Sequence, residues 1–184
     1  MKRRLYWAIA ALATAPIAVF AQETAAPVNP ISASEKGVYG FVSGVVVGAA
    51  EKMPEENYAF KPTPEVRSFG QLVGHVADAQ YMFCSIATSE PNSMKSIEKT
   101  KTSKADLVAA LKDAVAYCDK AYTSMTDAQG GQMVKFMNFT LAKLSVLSLN
   151  TAHADEHYGN MVTYLRLKGI VPPSSEKQSA PASK

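Results

Sequence analysis

The sequence predicts an all-α protein, a four-helix bundle, in a chain of 184 residues. Four long segments repeat apolar residues at helical spacing, and three of them begin at a side chain suited to cap a helix. No segment has the strong alternation of apolar and polar residues that is typical of strands. Amphipathic helices joined by loops bury their apolar stripes most simply by packing on one another.

The first 21 residues have the three parts of an export signal. Basic residues at positions 2 to 4 precede an apolar run from Leu5 to Phe20, and small residues follow around Ala21. We expect cleavage near Ala21 and a periplasmic or secreted mature chain that begins near Gln22. The alternative is a retained membrane anchor, but the apolar run is short for a bilayer span. We therefore expect no stable membrane anchor after cleavage.

A proline-bearing linker is predicted over residues 22 to 31, followed by the first helix. Ser32 and Glu35 have the spacing of a capping box, and Pro54 ends the helix. The glycines at positions 37, 40, 44 and 48 are expected to let a neighbouring helix approach closely. The predicted buried stripe consists of Val38, Phe41, Val42, Val45, Val46 and Ala49.

The second helix follows an extended, proline-rich connector over residues 54 to 67. Ser68 and Gln71 form its capping box, and it reaches about Thr88. Residues 89 to 102 are polar and rich in serine and lysine, so they are predicted to form a loop.

The third helix is predicted from Ser103 to about Met125, with a break over Asp127 to Gly131. Residues 133 to 137 could form a short extended piece across the end of the bundle. Both loops that flank the second helix are long enough to cross the bundle, so these patterns leave the topology open.

The fourth helix is predicted to begin after Asn138 and to end at about Lys168, because Gly169 occupies the usual position of a helix stop. The bundle domain thus spans residues 32 to 173. Residues 174 to 184 have no apolar pattern and are predicted to be a disordered tail.

The net charge of +3 is a weak signal, because five basic residues lie in the leader or the tail. The body is nearly balanced, so nucleic acid is not an expected partner. An apolar helix face left over after bundle packing would favour a homodimer.

Cys84 and Cys118 each fall late in a predicted helix and could form a disulfide in an oxidising compartment, or could be small buried apolar residues.

The histidines are the main functional signal. His153 and His157 are one helical turn apart, so both rings project from one face of the fourth helix toward the bundle interior. His75, the third histidine of the chain, lies on the apolar face of the second helix. A core histidine is the plainer interpretation of His75 alone, but three neutral imidazoles in one interior are readily explained by a shared divalent cation.

Several other side chains could complete such a site. Glu156 and Asp78 could accept the free ring N–H of a ligand histidine, or could be ordinary surface carboxylates. Glu156 is also the candidate general base, and Tyr164 could line the pocket. Ala154 stands where a zincin protease has its glutamate, so that mechanism is not expected.

The sequence resembles the DinB-like superfamily in three stretches. These are Pro54-Glu-Glu-Asn-Tyr-Ala-Phe-Lys-Pro62, Arg67-Ser-Phe-Gly-Gln-Leu-Val-Gly-His-Val-Ala-Asp-Ala79 and His153-Ala-Asp-Glu-His-Tyr-Gly-Asn-Met-Val-Thr-Tyr-Leu-Arg-Leu-Lys-Gly-Ile-Val-Pro-Pro173. The pattern His-x-x-x-His-x-Gly-x-x-x-x-Tyr-Leu-Arg, which opens the third stretch and lies near the end of the mature chain, is fairly specific.

The resemblance implies an up-down-down-up bundle in which residues 89 to 102 are the crossover. It also implies a divalent metal held by His75, His153 and His157, and we expect this metal to be nickel or zinc. Members of the superfamily include thiol-dependent transferases and isomerases and candidate hydrolases, so a metal-dependent hydrolase or transferase acting on an unidentified small molecule is one expectation. A noncatalytic metal-binding or stress-associated module of the periplasm is the other.

Overall fold

Four long helices form a bundle in the computed structural model, which describes residues 28–91 and 94–176. The long helices are α1 (Pro30–Lys52), α2 (Phe69–Thr88), α4 (Lys104–Ser124) and α6 (Lys143–Leu167). The short elements are α3 (Ile97–Thr100), α5 (Asp127–Gly130), β1 (Met133–Phe136), β2 (Phe139–Ala142) and two 3₁₀ turns, Glu55–Asn57 and Pro173–Ser175. The predicted export signal, most of the linker and residues 177 to 184 lie outside the described residues.

The long helices run up, down, down and up, which is the topology that the family resemblance implied. Helix α1 packs on α4 and α6, and α2 packs on the same two helices. Helices α2 and α4 are parallel, whereas α1 is antiparallel to α4 and α2 is antiparallel to α6. Three contacts near helix ends fix these directions: Ser32 with Asp127, Gly70 with Leu107, and Phe69 with Tyr164.

Local capping signals predict the starts of α2 and α4 correctly. The hydroxyl of Ser68 accepts a hydrogen bond from the N–H of Gln71, and the Gln71 side chain accepts one from the N–H of Ser68. Ser103 caps α4 by accepting a hydrogen bond from the N–H of Asp106. These side chains satisfy N–H groups that the first helical turn leaves free.

The capping box predicted for α1 is wrong. The helix begins at Pro30, two residues earlier, because proline is already restricted to a helical φ and lacks the N–H that the first turn cannot satisfy. Ser32 instead donates its N–H and its hydroxyl to the carboxylate of Asp127, at 2.8 and 2.7 Å. A carboxylate at the positive end of a helix dipole fixes α1 to the far end of α4.

The stripe predicted for α1 is also partly wrong. Val38 and Phe41 are 54% and 65% exposed, while Tyr39 and Ser43 are buried. Three of the four glycines do not pack tightly against a neighbour, because a Cβ at positions 37, 40 or 44 would meet no atom within 4 Å, whereas a Cβ at Gly48 would lie 3.3 Å from the ring of Pro173. The buried face is rotated by about one residue, since the large Tyr39 ring takes the interior position.

A β-hairpin precedes α6 and shortens it. The expected extended piece is confirmed as β1, and it pairs antiparallel with β2, so α6 begins at Lys143 instead of directly after Asn138. The expected break after α4 contains the short helix α5. Beyond α6, Ser174 is fixed by a 2.7 Å hydrogen bond from the hydroxyl of Tyr158, and Glu176 pairs with Lys52. Residues 174 to 176 are therefore not part of a disordered tail.

A disulfide joins Cys84 of α2 to Cys118 of α4, with the two Cα atoms 5.4 Å apart. Of the two alternatives for these cysteines, the structure contains the bonded one. Gln80 and Asn150 lie beside it, and the amide of Asn150 donates to the side-chain oxygen of Gln80 at 2.9 Å.

None of the described helices combines the length and apolar character needed to cross a membrane.

Candidate metal centre

Helices α2 and α6 bring the three predicted histidines together. His75 projects from α2, and His153 and His157 project from successive turns of α6. The Nε2 atom of His153 lies 3.1 Å from Nε2 of His75 and 3.2 Å from Nε2 of His157. One ring nitrogen from each histidine lies within 4.8 Å of the other two.

This spacing fits nitrogens that share one metal ion. Ligands at 2.0 to 2.1 Å from a tetrahedral ion are about 3.4 Å apart, close to the distances observed here. Lone pairs aimed at one another at such distances repel unless a proton or a cation lies between them. The histidine cluster, defined as His75, His153 and His157, could therefore hold a divalent metal ion.

The outer nitrogen of His75 faces a carboxylate. His75 Nδ1 lies 3.1 Å from Oε2 of Glu98, whose other oxygen accepts a 2.9 Å hydrogen bond from Nε of Arg67. Partial burial opposes ionisation, but the hydrogen bond and charge of Arg67 hold the pKa of Glu98 below its ordinary value. An ionised carboxylate can only accept, so Nδ1 of His75 donates to Glu98, and Nε2 is the ring nitrogen that faces the cluster.

Glu98 belongs to α3, in the crossover segment, and two residues of α2 hold α3 in place. The carboxylate of Asp78 accepts hydrogen bonds from the N–H groups of Ile97 and Glu98, at 2.8 and 3.0 Å. Gly74 allows the close approach, because a Cβ there would lie 2.6 Å from Cα of Glu98. Asp78, a predicted ring partner, thus positions the backbone of the residue that contacts the ring.

The two rings on α6 are neutral near pH 7. Burial, together with the charges of His157, His75 and Arg67, lowers the pKa of His153 to about 4. Burial and the nearby His75 ring also lower the pKa of His157. Neutral imidazole is the form that binds a metal ion. Within the described residues Nδ1 of His153 is buried without a hydrogen-bond partner, and the ring of Phe83 lies 5.6 Å away between centroids.

A polar cleft of about 810 Å³ opens beside His157. Glu156, the predicted base, is exposed on this cleft, and among the described residues it makes no hydrogen bond to a ring nitrogen. Tyr164 also borders the cleft, and its hydroxyl donates to the backbone carbonyl of Arg67 at 2.6 Å. Tyr164 thereby fixes the chain from which the Arg67 side chain reaches Glu98. The polar and charged residues that border this cleft include Lys61, Glu65, Arg67, Glu98, Glu156, Asn160 and Thr163.

A second, apolar cleft of about 360 Å³ reaches the other two histidines. It lies between α2, the crossover segment and the tip of the hairpin. Glu98 borders both clefts, so the histidine cluster is accessible from a polar and from an apolar side. The apolar side chains that border the second cleft are Ala79, Met82, Phe83, Met94 and Met137.

Sequence reasoning missed Glu98 and Arg67 as partners of the cluster. Glu98 follows a Ser- and Lys-rich stretch that has no apolar period, and it is 23 residues from His75. Its role depends on the docking of α3, for which Gly74 in the middle of α2 is the one local indication. Arg67 directly precedes the cap of α2, and no spacing rule connects it with Glu98.

The fold and the cluster define a class of protein, a helical bundle with a three-histidine site that could hold a metal ion. The sequence model of the DinB superfamily matches residues 44–161, which is more than half of the chain. The protein belongs to the DinB superfamily. No curated protein sequence matches the chain.

Solved structures share this fold. A DinB-like protein from Bacillus cereus ATCC 10987 has a TM-score of 0.68 and 15% identity, covering 77% of this chain and 95% of that chain. The DinB-like protein YjoA from Bacillus subtilis has a TM-score of 0.66 and 20% identity, covering 79% and 99%. A mycothiol-dependent maleylpyruvate isomerase has a TM-score of 0.61 and 15% identity, covering 71% of this chain and 60% of that chain. At these identities the likeness concerns the fold alone.

Proposed function

We propose that this protein is an exported, divalent-metal-dependent enzyme that hydrolyses a small organic molecule or transfers a group to or from it. The observation that carries the proposal is the convergence of three Nε2 atoms beside two open clefts. A site that served only to hold an ion would need the rings but not the clefts.

Zinc or nickel is the proposed metal, because three neutral imidazoles suit either ion. Such an ion, when bound, would supply a positive charge that polarises an oxygen of the substrate or activates water. The chain itself supplies the rest. Glu98 orients the ring of His75, and Glu156 on the polar cleft is the proposed base that takes up a proton from the attacking group.

Export is supported by two features that are independent of the site. The leader has the order of charges, apolar residues and small residues of an export signal. The disulfide between Cys84 and Cys118 suits an oxidising compartment. A low-molecular-weight thiol is not proposed as a cosubstrate. Such thiols are kept reduced in the cytoplasm, whereas the protein is proposed to act outside it.

A noncatalytic metal-binding or stress-associated module of the periplasm is the other function that the same rings could serve. The polar cleft of about 810 Å³ beside His157 favours the enzyme, because a ligand-sized space adjoins the cluster.

Elemental analysis of purified protein tests the metal site. The wild type should retain about one equivalent of zinc or nickel, and His153→Ala should lose it while keeping its helical circular dichroism. Unchanged metal content in a folded His153→Ala would refute the site.

A substrate panel tests catalysis. The metal-loaded wild type should turn over a substrate of the hydrolase or group-transfer type, and Glu156→Gln should lose this activity. A metal-loaded protein that turns over none would favour the noncatalytic module.

The mass of the mature protein tests export. Material from the periplasmic fraction should give an intact mass for a chain that begins near Gln22 and contains one disulfide. A full-length mass in the membrane fraction would support the retained anchor instead.

A further inference from the structure

We propose that the apolar cleft binds the hydrocarbon or aromatic body of the substrate, and that the polar group attached to this body reacts at the histidine cluster. The substrate class is thus a small amphipathic molecule with an uncharged apolar part. This inference rests on the proposed function for the reacting end, whereas the apolar binding site itself does not depend on it.

The composition of the cleft supports an apolar occupant. Four large apolar side chains border it together with the rings of His75 and His153; the four are Met82, Phe83, Met94 and Met137. The volume of about 360 Å³ is at the small end of the range for ligand sites. Thioether side chains are flexible and polarisable, so they adapt to apolar ligands of different shape.

The carboxylates at this cleft already have partners. Asp78 accepts from two backbone N–H groups of α3, and Glu98 accepts from Arg67 and from His75. Lys99 is exposed at the border of the cleft. A charged group placed among the methionines would therefore lose hydration without gaining a buried partner, and an uncharged group would not.

The conformation and exposure of Met137 independently support an apolar ligand in this cleft. Met137 is the first residue of the two-residue hairpin turn between β1 and β2, and its φ of 51° is in the left-handed region. This turn position favours glycine, because any Cβ there is strained. The chain nevertheless has a long apolar side chain here, and that side chain is 71% exposed at the border of the cleft. An exposed methionine on a strained turn is accounted for by contact with a ligand.

Phe83 fixes the inner wall of the cleft. Its ring stacks on Phe136 of β1 at 5.3 Å between centroids and lies 5.6 Å from the ring of His153. The hairpin is thereby held against the same aromatic side chain that contacts a cluster histidine. An apolar group in the cleft would lie next to the histidines, and its polar end would reach them.

Methionine methyl NMR on metal-free protein tests the cleft without reference to any ion. In protein labelled with ¹³C at the methionine methyl groups, benzyl alcohol should shift the Met82, Met94 and Met137 signals saturably and leave the Met133 signal unchanged. Met137→Lys should weaken the affinity for benzyl alcohol by about fourfold, the value of one buried methylene. Met133→Lys is the matched control, since Met133 is exposed on the same hairpin away from the cleft. Three unshifted signals at saturating benzyl alcohol would overturn the proposal.

A series of hydroxamates on the zinc-loaded protein tests the link to the cluster. Affinity should rise by up to about fourfold for each methylene from acetohydroxamate through butyryl to hexanoyl hydroxamate, and Met137→Lys should flatten this slope while Met133→Lys keeps it. A flat series in the wild type would overturn the assignment of the substrate body to this cleft. If no hydroxamate binds but benzyl alcohol still shifts the methyl signals, the apolar site stands and the proposed metal function fails.

Discussion

Glu98 lies 3.1 Å from Nδ1 of His75, although the two residues are 23 positions apart and on different helices. The carboxylate accepts a hydrogen bond from the Nδ1–H group of the ring, and Nε2 of His75 faces His153. A ligand histidine held in this way loses less freedom when it binds a metal, and its ring nitrogen is more basic. Helix α3 is therefore part of the candidate metal centre.

Loss of this carboxylate should weaken metal binding. We expect Glu98→Ala to lower the affinity for zinc by about 10-fold to 100-fold in competition with a chromogenic chelator. Glu98→Gln should recover part of the loss, because an amide oxygen can still accept from Nδ1. Glu156→Ala is the control and should bind zinc as the wild type does, since Glu156 is exposed. An equal loss in both alanine variants would show that the contact with His75 is not the cause.

Gly74 should also be required for tight zinc binding, because it lets α3 approach α2 and bring Glu98 to His75. A methyl group at position 74 would lie 2.6 Å from Cα and 2.9 Å from the backbone N of Glu98, so Gly74→Ala must displace α3. We expect zinc affinity to fall about as far as in Glu98→Ala, despite the higher helix propensity of alanine. Gly44→Ala is the matched substitution in open space on α1, and it should raise the free energy of unfolding by about 0.5 to 1 kcal/mol. Wild-type zinc affinity in Gly74→Ala would contradict the proposed docking of α3.

The disulfide should contribute substantially to stability. Cys84 and Cys118 are 34 residues apart, and a loop of this size closed by a crosslink is worth about 3 to 4 kcal/mol in the chain-entropy treatment. Urea denaturation with and without a reducing agent should show this difference in the wild type. The double variant Cys84→Ala/Cys118→Ala should resemble the reduced protein and should not respond to the reducing agent. Two free thiols in native protein purified without a reducing agent would refute the bond.

The carboxylate that anchors α1 should make stability depend on pH. Hydrogen bonds from the backbone and side chain of Ser32 hold the pKa of Asp127 below its ordinary value of 3.8. The ionised carboxylate of Asp127 then contributes fully to the free energy of unfolding above pH 3.8, and this contribution is lost as the pH falls through the lower folded-state pKa. We expect Asp127→Asn to be less stable than the wild type at pH 7 in urea denaturation, with the difference shrinking below pH 3.8. Asp155→Asn, on the exposed face of α6, should show no such trend.

The sequence predicts those parts of the fold that depend on neighbouring residues. Ser68 caps α2 with a partner three positions away, and such a signal is visible in the sequence. Ser32 has the same local signal, but it bonds to Asp127, 95 positions later, and tertiary contact overrides the capping box. The start of α6 was missed for a related reason, because β2 gains its structure only by pairing with β1.

The candidate site divides in the same way. Helical periodicity places His75, His153 and His157 on interior faces, and the resemblance to the superfamily implies that they meet. Neither argument predicts the role of Glu98. It follows a loop that has no apolar periodicity, so the sequence does not indicate which way its side chain points. The position of Asp78 one turn after His75 predicts a ring partner, but its oxygens accept hydrogen bonds from the backbone of α3.

His75 and His153 are 78 positions apart, and His153 and His157 lie in the last long helix. An ion that requires all three rings has no complete coordination sphere until α6 has docked against α2. Metal acquisition would therefore follow synthesis and folding of nearly the whole polypeptide. For a chain threaded unfolded across a membrane, the ion would be captured at the destination and not in the compartment of synthesis.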